Sequence, residues 1–260
     1  MNSTIVFKFL LVLILSFGAI APQSLAQERV IVKLDGGMTP VLHENFGTHK
    51  YNQIITIGKD SSSISKIYDL NNRLFSQTKE KYNEELGYNE AIISKYDTLQ
   101  NLISSEIKNV DNGSFVRVFL EEEKVVSRLE FTKGESNGEN YKLYMGESET
   151  PIATGSTNPM DPSPSFEQEE FFRFISKILA YPSEARAKKE TGTAIVAIDV
   201  NKNGEVIGYR CDNEDSIHPS LSKEAIRVIK KFDPKFNPAY GVFGEPVPGT
   251  FKLPIRFKLS

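Results

Sequence analysis

The end of the chain constrains the fold most tightly. Phe251, Leu253, Ile255, Phe257 and Leu259 alternate with Lys252, Pro254, Arg256 and Lys258. A period of two puts the apolar side chains on one face of a strand and the polar ones on the other. Such a strand needs cover on one face only, and the cover must come from elements upstream.

Those elements are legible. Residues 194–200 (AIVAIDV) and 205–211 read as two strands, and Asn203-Gly204 between them reads as a two-residue hairpin turn with positive φ at both positions. From Ser220 to Phe232 the apolar residues Leu221, Ala225, Val228, Ile229 and Phe232 recur at helical spacing. Lys223, Arg227, Lys230 and Lys231 take other faces, the last two near the negative end of the helix dipole. Upstream, Ser165 and Gln168 have capping-box spacing, and Phe171, Phe172, Ile175, Ile178 and Leu179 are assigned to one helical face. Tyr181-Pro182 ends that helix, because the residue before proline is pushed out of the α region. The fold class is therefore α+β. The C-terminal domain, 166–260, is two-layered: helix, hairpin, helix and final strand, with two helices on one face of a three-stranded antiparallel sheet.

These blocks, in this order, resemble the TonB C-terminal domain family. The match is carried by Tyr181-Pro182-Ser183-Glu184-Ala185-Arg186, Gly192-Thr193-Ala194-Ile195-Val196, Asn203-Gly204-Glu205-Val206, Leu221 to Ala225, Phe236 to Ala239, Gly244 to Pro248, and Leu253-Pro254-Ile255-Arg256-Phe257. The resemblance implies a partner. Domains of this family grip a short segment of a TonB-dependent outer-membrane receptor as an added strand, coupling an energised inner membrane to transport. The family's receptor-pairing strand corresponds here to Thr250, Phe251, Lys252, Leu253, Pro254, Ile255, Arg256, Phe257, Lys258 and Leu259. Independently of the family, an edge strand offers unpaired N–H and C=O groups to a partner strand. Pro254 cannot donate to such a ladder, so it places the strand at an edge and leaves one rung missing. Proline and lysine there also guard an edge against aggregation. The same edge can pair with itself, so a homodimer is a second expected partner.

The N-terminus points to export. Lys8 is the sole charge before Glu28 and precedes an apolar run, 9–21, of the length of a leader core. Ser24-Leu25-Ala26 has the small residues of a cleavage site, so residues 1–26 are expected to be a signal peptide, with the mature chain in the periplasm. The alternative is an uncleaved inner-membrane anchor. A classical transducer needs that anchor and a longer Pro-rich spacer, so both features bear on force transduction rather than on peptide binding.

Residues 27–145 read as a β-rich domain. An aromatic residue, an aliphatic one six positions on and a serine two further recur at Tyr68/Leu74/Ser76, Tyr96/Leu102/Ser104 and Phe119/Val125/Ser127. This pattern loosely resembles MORN-like hairpin repeats, although 83–102 also admits helix. Residues 146–165, with Pro151, Pro159, Pro162 and Pro164, read as a linker. Charge separates the two halves: 27–180 holds 17 Lys and Arg against 24 Asp and Glu, and 181–260 holds 13 against 10. Neither balance suits nucleic acid.

Catalytic and cofactor signatures do not emerge. Cys211 is the single cysteine, and His43, His49 and His218 are scattered, so neither a disulfide nor a zinc site is expected. Asp199, Asn201 and Asn203 imitate a calcium loop, but Arg210 stands where its bidentate glutamate belongs. His218 reads as a solvated loop residue and Glu121-Glu122-Glu123 as a solvated turn. The expectation is a non-enzyme without metal or small-molecule cofactor. It is either a TonB-like receptor-binding protein or an exported scaffold whose β-repeat half carries the partner site.

Overall fold

The computed structural model describes residues 26–36, 38, 40–41, 49–134 and 140–259. Apart from Ala26, the segment read as a leader lies outside the described residues, as does His43. The chain divides into two units, Met1–Ser156 and Thr157–Ser260.

The first unit contains one ten-stranded antiparallel meander in strict chain order. Its strands are β1 (Ala26–Leu34), β2 (Tyr51–Gly58), β3 (Ser63–Asp69), β4 (Leu74–Asn83), β5 (Tyr88–Tyr96), β6 (Leu102–Asn109), β7 (Phe115–Glu121), β8 (Lys124–Phe131), β9 (Tyr141–Met145) and β10 (Ala153–Gly155). The sequence-stretch 83–102 that also admitted helix is strand and turn. The first two copies of the recurring pattern mark equivalent places, Tyr68 opposite Leu74 and Tyr96 opposite Leu102, whereas in the third Phe119 lies opposite Ser127 and Val125 opposite Leu120. Register shifts fall at Ile67/Tyr68, Lys95/Tyr96 and Phe119/Leu120, and Ser76, Ser104 and Ser127 are all buried.

Two turns explain why the first two copies look alike. Asp69 N–H donates to Arg73 C=O, Asp69 C=O accepts from Asn72, and the Asp69 carboxylate accepts from the N–H groups of Asn71 and Arg73. Twenty-eight positions on, Asp97 repeats every bond with Asn101, Gln100 and Leu99. Asn72 and Gln100 hold the matching left-handed position, φ 60° and 70°. The Gln100 amide also donates to Leu74 C=O and accepts from Leu74 N–H, which stitches one hairpin to the next. The third copy uses a tighter turn, with Glu122 and Glu123 both at positive φ between paired Glu121 and Lys124.

The second unit has the three-stranded antiparallel sheet expected from the pattern, in the order β13 (Val206–Cys211), β12 (Gly192–Val200), β17 (Gly249–Phe257). Its helices are α1 (Gln168–Ile178), α2 (Ser183–Ala187) and α3 (Pro219–Phe232). Helix α3 packs on β12 and β13, and α1 and α2 pack on α3. Ala194, Val196, Ile198 and Val200 of β12, Ile255 and Phe257 of β17, and Leu221, Ala225 and Ile229 of α3 form the core.

Four local expectations change. Phe172 is 57% exposed and Phe174 meets Phe232 instead, because position 174 falls on the helical face of Phe171 and position 172 does not. Ser165 does not cap α1: its N–H donates to Lys235 C=O, and Glu167 holds the cap position without a side-chain bond. The Asn203-Gly204 turn is the Asp69-type loop, with Asn201 accepting from Asn203 and Glu205 and only Gly204 at positive φ, 82°. A Cβ on Gly204 would lie 2.2 Å from the Phe236 carbonyl oxygen. Finally, His218 is not simply solvated: it caps α3, accepting from Ser220 N–H at 3.3 Å.

The stretch read as a linker carries structure in both units. β10 belongs to the meander, while β11 (Ser163–Pro164) pairs with β14 (Phe236–Asn237) in the second unit. There Pro159 C=O accepts from Tyr240 N–H, and Pro162 packs so closely on Gly249 that a Cβ would lie 2.7 Å from its ring. A short hairpin of β15 (Ala239–Tyr240) and β16 (Pro246–Val247) leads into β17.

Candidate partner-binding edge

β17 pairs with β12 in unbroken register from Gly192↔Phe257 to Val200↔Gly249 and has no strand on its other side among the described residues. Which of its peptide groups face outward follows from β12. Ile195 C=O accepts from Asp212 N–H at 2.8 Å, and Ile195 N–H donates to the Asn213 side chain at 2.9 Å. Both Ile195 groups thus point toward β13. Pro254, opposite Ile195, is in a non-hydrogen-bonded pair, and its own backbone faces the open edge. By alternation Thr250, Lys252 and Arg256 face outward too. The edge therefore offers three N–H donors and four C=O acceptors, with the donor missing only at Pro254.

The strand buries its apolar face as the alternation implies, with Ile255 and Phe257 buried and Lys252, Pro254 and Arg256 exposed. It ends at Phe257, however. Lys258 and Leu259 lie beyond it and are both exposed, so the alternation overran the strand by these two residues.

The polar face carries a network that the sequence reading did not assemble. Arg210 Nη1 donates to both Asp199 oxygens at 2.6 Å, and Thr250 Oγ1 donates to Asp199 Oδ1 at 2.7 Å. Asp212 binds Arg210 at 3.2 Å and Lys252 at 2.7 Å. The Arg210 guanidinium first, then the Thr250 hydroxyl, holds the Asp199 carboxyl below its ordinary value; Lys252 does the same for Asp212. Two outward residues of β17, Thr250 and Lys252, are thus tied to β12 and to the end of β13. Asp199 and Asn201, the calcium-loop mimics, are engaged in this network and in the turn, respectively. Among the described residues no cluster of three or more His, Cys, Asp or Glu could hold a metal ion. The network was findable: Asp199, Arg210 and Lys252 all occupy polar positions of apolar-patterned strands.

Fold and edge together define a small two-layer α+β domain whose C-terminal strand closes one side of its sheet and, among the described residues, leaves its outer ladder unpaired. Residues 178–259 match the family model of the Gram-negative bacterial TonB protein C-terminal, and this part of the chain is a TonB C-terminal domain. The family is a transport-associated, non-enzymatic domain whose proteins lie in the periplasm or are anchored in the inner membrane. No curated protein and no solved structure matches the chain. Among the described residues no helix is long and apolar enough to cross a membrane.

Proposed function

We propose that this is an exported, periplasmic TonB-like protein. Its C-terminal domain binds a segment of an outer-membrane receptor by adding it as a fourth strand beside β17, in support of energy-coupled transport. The observation that carries the reading is the outward ladder of Thr250, Lys252, Pro254 and Arg256 on a domain of this family. Main-chain bonds supply affinity in this mode, and side chains along the edge select the sequence. Arg256, exposed at the edge, is the cation best placed to read the partner, since Lys252 is held by Asp212. The segment before Glu28 acts in this reading as a cleaved leader, and mass spectrometry of the native N-terminus tests that point.

Calorimetric titration of the chain with peptides from receptor N-termini tests the binding. Arg256→Pro removes an outward donor without touching the β12 ladder, and binding falls by roughly tenfold. Arg256→Gln keeps the donor and loses only the side-chain contribution. Equal binding by wild type and Arg256→Pro would mean that the peptide does not add to this edge.

A further inference from the structure

The polar face of the C-terminal sheet turns most of its side chains away from the open edge. Thr250 lies opposite Asp199 and donates to it at 2.7 Å. Gly208, on the far side of Asp199, leaves room for that carboxylate, since a Cβ there would lie 3.1 Å from Asp199 Oδ2. In the next row Lys252 lies opposite Ala197, and Ala197 opposite Arg210. Asp212 receives both cations, Arg210 at 3.2 Å and Lys252 at 2.7 Å.

The position of Asp212 fixes the direction of the lysine. Asp212 N–H donates to Ile195 C=O from the β13 side of β12. To reach it, the Lys252 stem must cross β12 and leave the edge of its own strand. Arg210 and Lys252 thus flank Ala197, which is fully buried although its side chain lies on the face opposite the core. Arg256 is different. It is exposed, and among the described residues its side chain has no ion-pair or hydrogen-bond partner.

Residues of an added strand lie opposite the outward residues of β17 and put their side chains on the same face. A partner meets a free cation at Arg256. Four positions away, at Lys252, it meets a cation already paired, with a carboxylate beside it. An acid on that rung gains an ammonium only by taking it from Asp212.

Resting on the reading that β17 receives a partner strand, we propose that Asp212 is a positioning residue that sets the specificity of this edge. By holding Lys252 inward it leaves one acid-accepting rung, at Arg256, and so gives a segment with a single acid one register. The partner is an extended polypeptide with one acidic side chain on this face. Without Asp212 a second acid-accepting rung opens, and segments with two acids are selected instead.

The test uses the full chain and three fluorescent peptides of threonine, serine and valine, read by anisotropy. The first carries one central glutamate. The second carries two glutamates four positions apart, which reach the Arg256 and Lys252 rungs together in either strand direction. The third carries two glutamates three positions apart, so the second falls on the other face at the same net charge. Wild type binds all three alike. In Asp212→Asn the four-apart peptide gains roughly three- to fivefold over the first, the size of an exposed ion pair, and the three-apart peptide gains nothing. Asp212→Glu keeps the wild-type ratio, and Asp212→Asn/Lys252→Met loses the gain. A purely structural role for Asp212 would move all three affinities together. An unchanged ratio in Asp212→Asn, an equal gain by the three-apart peptide, or a gain that survives Lys252→Met overturns the proposal and leaves strand addition standing. Failure of every peptide to bind wild type and variants overturns strand addition at this edge, and the proposal with it.

Discussion

At the residue scale, two positions carry consequences out of proportion to their size. Gly204 sits at φ 82° with the Phe236 carbonyl where a Cβ would be. Gly204→Ala must displace backbone, and roughly 1–3 kcal/mol of stability is lost, readable by denaturant unfolding. Glu122 and Glu123 hold the opposite lesson, since both adopt left-handed backbone without being glycine or asparagine. Replacing the pair with Asn-Gly supplies residues suited to that turn and raises stability by about 1 kcal/mol. The charge network makes a pH prediction. Asp199 and Asp212 have carboxyls lowered in the fold, so their contribution is complete above the unfolded carboxylate pKa and is lost as pH falls through the lowered folded values. An Asp199→Asn/Asp212→Asn chain should show a flatter loss of stability on acidification than wild type, measured by thermal melts across an acid series. An unchanged acid limb would remove the network from the stability of this sheet.

At the element scale, legibility in the sequence followed the strength of each periodic pattern. β17 and α3 were readable because burial on one face repeats over many residues, at period two and at helical spacing. Leu221 and Ile229 are fully buried as the spacing implies, and Leu221→Ala should cost about 2–5 kcal/mol. The overrun at Lys258 and Leu259 has a simple cause: alternation continues in composition after the β12 partner strand has run out at Gly192. The cap on α3 was missed because a histidine nitrogen did the work normally given to a hydroxyl or carboxylate. The Asn203-Gly204 dipeptide suggests the tight hairpin, yet Asn201 lengthens the loop by accepting two backbone bonds. The site was legible as a strand and an edge, but its outward set was not. That set depends on which β12 groups Asp212 and Asn213 take, and this long-range fact lies outside any local pattern. Pro254 then gives an element-scale test. Pro254→Ala restores the missing rung, and peptide affinity rises by up to about tenfold while stability changes little.

At the scale of the whole molecule, the chain joins a long meander to a small transport-associated domain, and among the described residues that domain leaves the outer edge of β17 unpaired. β17 is interrupted by proline, and its Lys252 is neutralised from the neighbouring strand. The central claim concerns β17 and rests on which amides face outward. Amide hydrogen exchange followed by NMR on the labelled chain, with and without receptor peptide, reads those groups one at a time. The account predicts new protection at Thr250, Lys252 and Arg256, with no change at Tyr209 on the far edge of the same sheet. Saturating peptide that leaves those three amides exchanging as before, or that protects Tyr209 instead, would contradict it.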